Sequence, residues 1–183
     1  LKVGMEQCDD NNMAANDCCS TSCNVEAGCE TEINNSTATA DDYATTAVNQ
    51  EIHGFINPVG DDDYFVFTIP AGMTFDFRAT TSTGILGTAC DGPGIAGPGI
   101  DSNIELLDSA GVLIDDNDDS ATNYCSDLSV IGLTAGTYYI KVEASSTAGA
   151  ANTTFDYDLN VALVAQGCPN GFIDPGEGCD DNN

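Results

Sequence analysis

The chain has 183 residues, 42% of them apolar, so it is long and greasy enough for one sizeable core rather than a disordered segment. Thirty acidic residues stand against three basic ones, Lys2, Arg78 and Lys141, for a formal net charge of −27. Phosphate recognition needs clustered cations and bilayer insertion needs about 20 consecutive apolar residues, so nucleic-acid binding and membrane insertion are excluded as expectations.

Carboxylates with ordinary pKa values near 4 are ionised at neutral pH, and their mutual repulsion calls for divalent cations. The chain has neither an initiator Met nor a signal peptide and reads as a mature or excerpted piece.

Residues 1–29 are polar, lack apolar periodicity and hold five of the nine cysteines: Cys8, Cys18, Cys19, Cys23 and Cys29. The spacing C-x9-C-C-x3-C-x5-C has no paired C-x2-C knuckles, and the single histidine, His53, lies outside it. Zinc is therefore disfavoured and a disulfide scaffold in an oxidising, extracellular setting is expected.

From residue 30 the texture changes to short β-branched and aromatic runs separated by Gly, Asp and Pro. Eight strands are predicted: "AVNQEIHGFI", "DYFVFTI", "TFDFRAT", "NIELLD", "GVLI", "DLSVIGL", "TYYIKVEA" and "FDYDLNVALV". In the seventh, Tyr138, Ile140 and Val142 share one face, and in the eighth Phe155, Tyr157, Leu159, Val161 and Leu163 alternate with polar residues. Period-2 patterns of this kind mark strands with one buried face.

Gly72 in "AGMTF" and Gly136 in "AGTYY" stand just ahead of strands, where tight turns are expected. The Gly- and Pro-rich stretch from Thr88 to Ser102 reads as a long loop. Cys90 within it and Cys125 are the only cysteines of this region, which predicts that they pair with each other. Three sequons, at Asn34, Asn35 and Asn152, are compatible with surface glycosylation.

The predicted organisation is therefore all-β. An antiparallel, jelly-roll-like β-sandwich spans residues 30–166, with a cysteine-rich module at 1–29 and the start of another at 167–183 carrying Cys168 and Cys179.

Four segments in order, "GDDDYFVFTIPAGMTF", "IELLDSAGVLIDDND", "LTAGTYYIKVEA" and "FDYDLNVAL", resemble the bacterial pre-peptidase C-terminal domain. The likeness runs from about Glu30 to Val164 and implies an accessory module of secreted enzymes, serving binding or assembly rather than catalysis. Relatives in clostridial collagenases hold calcium between a Glu-x-Glu-x-Asn segment and an acidic loop before an aromatic strand. The resemblance carries this role to Glu30, Glu32 and Asn34 of "ETEIN" and to Asp61 and Asp63 of "GDDDYF", with Asp63 the better match.

The flanks, "CPNGFIDPGEGCDDNN" and "EQCDDNNMAANDCCSTSCNVEAGCE", resemble a myxobacterial cysteine-rich repeat, in which Asp9, Asp10, Asn12 and Asp17 are further calcium candidates. A third set of oxygens, at Asp115, Asn117 and Asp119, alternates like the start of a calcium loop. It is no EF-hand, because Ser120 and Ser126 stand where Gly and Glu are required.

The pentapeptide CDDNN occurs twice, and aligning Cys179 with Cys8 gives a period of 179 − 8 = 171 residues. A tandem array with that period has eight cysteines per unit, an even number that can be fully paired. The first functional expectation is therefore a structural one: the repeat unit of a secreted, calcium-stabilised, disulfide-linked filament or stalk on a bacterial surface, whose partners are identical neighbouring units. The alternative is an accessory module of a secreted enzyme or adhesin that holds a matrix protein or polysaccharide.

Catalysis is not expected. G-x-S-x-G, H-E-x-x-H and a phosphate loop are all lacking, no Trp offers a sugar platform, and His53 reads as a surface or edge residue of its strand.

Overall fold

A computed structural model of the chain describes residues 18–20, 22, 24–46, 51–85, 87, 89–91, 99–146 and 154–166. Among these, strands β1 (Asp41–Asp42), β2 (Glu51–Ile56), β3 (Asp62–Thr83), β4 (Ser102–Leu107), β5 (Leu113–Asn117), β6 (Asp127–Ala144) and β7 (Phe155–Ala165) account for nearly all regular structure. One helical turn, α1 (Tyr43–Thr46), follows β1. No helix among the described residues is long and apolar enough to cross a membrane.

The strands run in the order β2-β7-β3-β6-β4-β5, antiparallel throughout, with β1 alone added in parallel to β3. The register divides this path into two layers. The second half of β3 pairs with β7 and with the first half of β6, so β2, β7 and these halves form one layer. The first half of β3 pairs with the second half of β6 and with β1, and β4 and β5 extend that layer. The result is an antiparallel β-sandwich whose layers are joined by strands that pass from one to the other.

The joint explains a departure from the predicted strands. Two pairs of expected strands, "DYFVFTI" with "TFDFRAT" and "DLSVIGL" with "TYYIKVEA", are each one long bent strand. The bend sits where the β3–β6 register jumps between Ile69 and Thr74, an irregularity that adds residues to one strand and turns it. Gly72 has φ of +81° there, as the reading of a tight turn requires, but Gly136 pairs with Ile69 in the ladder and the second left-handed residue is Gly132, at +77°. A positive φ serves a bulge as well as a turn.

The bend folds β3 back over the core. Phe67 and Phe77, from its two halves, stack with ring centroids 5.5 Å apart, and Tyr138 of β6 lies 5.6 Å from Phe67. Period-2 alternation buries Phe65, Phe67, Ile140, Val142, Tyr157 and Leu159 between the layers. Leu163 departs from its predicted face and is 39% exposed, because β7 there runs past the end of β2.

Cys90 and Cys125 are joined, with Cα atoms 5.2 Å apart, and tie the loop after β3 to the loop before β6. Cys18 and Cys29 form a second disulfide, with Cα atoms 5.5 Å apart. Cys19 is also disulfide-bonded. Crosslinks of this kind persist in oxidising compartments outside the cytoplasm. Cys8, Cys23, Cys168 and Cys179 lie outside the described residues, as do both CDDNN copies.

Candidate metal centre

The segment after Cys29 runs along the outer edge of β2 and then crosses to β1 in the other layer. Edge strands leave a row of unpaired backbone groups, and here the row is filled by this segment and by the loop before β3. The His53 N–H donates to the Gly28 carbonyl at 2.8 Å, and the Glu30 N–H donates to the His53 carbonyl at 3.0 Å. Further along, the Phe55 N–H donates to Glu30 Oε1 at 2.6 Å and the Asn57 N–H to Asp61 Oδ2 at 3.1 Å. Two carboxylates thus stand in for a missing strand.

Asp63 reaches the same place from the start of β3, and the Tyr157 hydroxyl of β7 donates to its Oδ2 at 2.6 Å. Glu30, Glu32 and Asp63 converge, with one oxygen of each lying within 4.8 Å of the others. Glu30, Asn34, Asp61 and Asp63 are buried and Glu32 is half-buried. Asp61 Oδ1 accepts from the Asn35 amide. The Asn34 carbonyl accepts from the Tyr64 N–H at 3.1 Å and so pins the crossing segment to β3.

Glu30 Oε2, Asp63 Oδ1 and the side-chain oxygen and nitrogen of Asn34 are buried without a hydrogen-bond partner. Burial and the neighbouring Asp63 charge push the Glu30 carboxyl well above the usual range. Burial does the same to Asp63, opposed by the Tyr157 hydrogen bond. Glu32 is raised to about 7 by burial and by Asp61.

The described cations are committed elsewhere. Lys141 Nζ lies 2.6 Å from Glu143, 3.6 Å from Asp62 and 3.9 Å from Glu105, and Arg78 forks onto Asp127. Buried carboxylates with no protein cation either take up protons or hold a metal. A donor set of carboxylate oxygens suits Ca2+ rather than a softer ion.

Of the five residues named from the "ETEIN" and "GDDDYF" segments, the structure brings Glu30, Glu32 and Asp63 together, sets Asp61 against Glu32 and buries Asn34 on the same crossing segment. The other sets fare differently. Asn117 Oδ1 accepts from the Asp127 N–H at the start of β6 at 2.7 Å and Asp115 Oδ1 from the Asp116 N–H at 3.1 Å, so two of these oxygens are engaged by backbone, while Asp119 is exposed. Asp9, Asp10, Asn12 and Asp17 lie outside the described residues, as does the sequon at Asn152. Asn34 is fully buried, which closes its amide to glycosylation in the folded chain, whereas Asn35 is exposed.

Two partners of the cage were not evident as such in the sequence. Tyr157 read as a core aromatic of an alternating strand, and only the fold shows its hydroxyl on Asp63. Gly54 leaves the space through which that ring passes, since a Cβ there would lie 2.7 Å from Tyr157 Cε1 and closer still to Cζ and the hydroxyl.

Fold and site together define a disulfide-linked β-sandwich with a buried all-oxygen cage where its N-terminal segment crosses between layers. No family model and no curated protein matches the chain. Among solved structures, it is similar to the pre-peptidase C-terminal domain of a collagenase from Bacillus anthracis, at 14% identity over 61% of this chain and 87% of that one, with a TM-score of 0.43. It is also similar to a periplasmic inhibitor of g-type lysozyme from Aeromonas hydrophila, at 14% identity over 62% and 83% of the two chains, with a TM-score of 0.39. The chemistry of the cage stands on its own oxygens.

Proposed function

We propose that this chain is a calcium-clamped, non-catalytic β-sandwich module of a secreted protein, one that holds a matrix protein or polysaccharide for the catalytic or adhesive part it accompanies. The observation that carries the calcium clamp is the cage itself: buried Glu30 and Asp63, each with an orphaned oxygen, converge with Glu32, and the side-chain oxygen of buried Asn34 is orphaned too. Ca2+ would be held by Glu30, Glu32, Asp63 and Asn34, with Asp61 buttressing the segment through Asn57 and Asn35. The ion would neutralise the cluster and lock the crossing segment to both layers. The module's role is then to present a rigid surface whose shape depends on extracellular calcium.

The filament reading draws on the duplicated CDDNN, and both copies lie outside the described residues, so the geometry of the sandwich adds nothing to it. Calorimetric titration of chelator-stripped protein with Ca2+ tests the clamp, and absence of a heat signal at millimolar Ca2+ overturns it. Co-sedimentation with insoluble collagen and polysaccharides, with and without Ca2+, tests the binding role. Thin periodic fibres in micrographs together with recurrence of the 171-residue unit in the full gene would restore the filament in its place.

A further inference from the structure

A second cluster of ligand-type side chains sits on the outward face of the β2–β7 ladder, beyond the oxygen cage. Glu51 and His53 are two residues apart on β2 and share a face, and Asp158 lies directly across from His53 on β7. One ligand atom from each lies within 4.8 Å of the others, with His53 Nδ1 2.5 Å from Asp158 Oδ1. Asn160, opposite Glu51, donates its amide to Glu51 Oε2 at 3.2 Å and holds that carboxylate in place.

All of these residues stand on paired strands. The His53 backbone is fixed on one side by Gly28 and Glu30 and on the other by Asp158. The side chains of His53 and Asp158 are 27% and 15% exposed, so the group is sheltered yet open to an incoming ion. The charged groups acting on Asp158 are His53, Glu51 and Asp156, with no Lys or Arg among them.

From this arrangement we infer that Glu51, His53 and Asp158 form a site for a borderline transition cation of the Zn2+ type, distinct in chemistry from the oxygen cage. One imidazole nitrogen with two carboxylate oxygens is a donor set that Zn2+ accepts and Ca2+ does not prefer. Two carboxylates and a neutral imidazole carry a charge of −2, which a divalent ion cancels. Ligands about 2.1 Å from a tetrahedral ion lie about 3.4 Å apart, so His53 and Asp158 need to part by roughly 1 Å, and water fills the fourth position. The metal takes the neutral imidazole through Nδ1, with the ring's one N–H on Nε2, so no proton need leave the ring.

The test uses the whole oxidised chain, free thiols blocked with iodoacetamide, in excess Ca2+ so that the oxygen cage does not compete. Zn2+ is titrated while the imidazole resonances are followed by NMR. The chain has one histidine, so the signal is unambiguous. Saturable shifts at micromolar Zn2+, matched by Co2+ absorption without a thiolate charge-transfer band, are expected. His53→Gln is expected to weaken Zn2+ binding roughly 100-fold and Glu51→Gln about 10-fold or more. Metal-free melting curves establish that both variants are folded. Unmoved His53 resonances up to millimolar Zn2+, or unchanged affinity in folded His53→Gln, overturn the site and leave a cross-strand ion pair. Because Ca2+ binding is measured separately, failure here is distinguishable from failure of the clamp.

Discussion

Replacing Asp63 by Asn separates the two states of the cage, because its effect is expected to change sign with calcium. The substitution keeps the shape and an oxygen to accept the Tyr157 hydroxyl, now held at 2.6 Å. Its amide nitrogen then replaces the orphaned Oδ1 and faces the Glu30 carboxyl, which acts directly on Asp63. Without a metal this removes a buried charge and supplies a donor, so at pH 7.5 in chelator D63N is expected to be more stable than the parent by about 1–3 kcal/mol.

With Ca2+ at about 100 times its Kd the parent gains about 2.7 kcal/mol, and D63N gains little because a charged ligand is gone. At about 2–4 °C per kcal/mol for a chain of this size, calcium raises the parent's Tm by roughly 5–11 °C and leaves the variant's almost still. The order of melting therefore inverts between chelator and calcium. Differential scanning calorimetry reads both conditions. A parent midpoint indifferent to calcium, or a D63N protein that melts below the parent in chelator and keeps the full calcium response, would refute the reasoning.

Glu30, Glu32 and Asp63 all have folded pKa values above their unfolded ones, Glu32 at about 7. In metal-free protein their contribution to stability is therefore complete below about pH 4. It is lost as pH rises through the folded values, passing about 7 for Glu32. The increment in Tm from Ca2+, measured in steps from pH 5 to pH 8, is expected to grow across that range; a flat profile counts against the cage. Gly54→Ala pushes a methyl group into the Tyr157 ring. It is expected to cost about 1–3 kcal/mol and to weaken Ca2+ binding by calorimetry, whereas a loss of stability with calcium affinity intact would uncouple Tyr157 from the site. Removing the Cys90–Cys125 crosslink as the double Ser variant frees a 35-residue loop. Chain entropy puts the cost at about 4 kcal/mol, read by urea denaturation, and a change under 1 kcal/mol would show that other contacts hold the loop.

Strand positions were legible because alternation of buried and exposed side chains is written locally, as in Tyr138, Ile140 and Val142. The strand joints were not, because Gly72 looks the same ahead of a turn and inside a bulge, and only the β3–β6 register distinguishes them. In the cage, the i, i+2 spacing of Glu30, Glu32 and Asn34 was visible in sequence, as was the acidic run before Tyr64. What closes the cage comes from 94 residues further along, where Tyr157 meets Asp63. The pairing of His53 with Asp158, 105 residues apart, was hidden for the same reason. Cross-strand neighbours follow from register, which a single strand's pattern does not contain.

The outer edge of β2 is closed by a segment that also supplies Glu30, Glu32 and Asn34. On the proposed reading, loss of the ion loosens that segment and bares the N–H groups of His53 and Phe55 together. A bared edge is a template for sheet-to-sheet growth between molecules. Calcium would then act as a guard against self-aggregation, sealing the edge once the chain reaches a calcium-rich exterior.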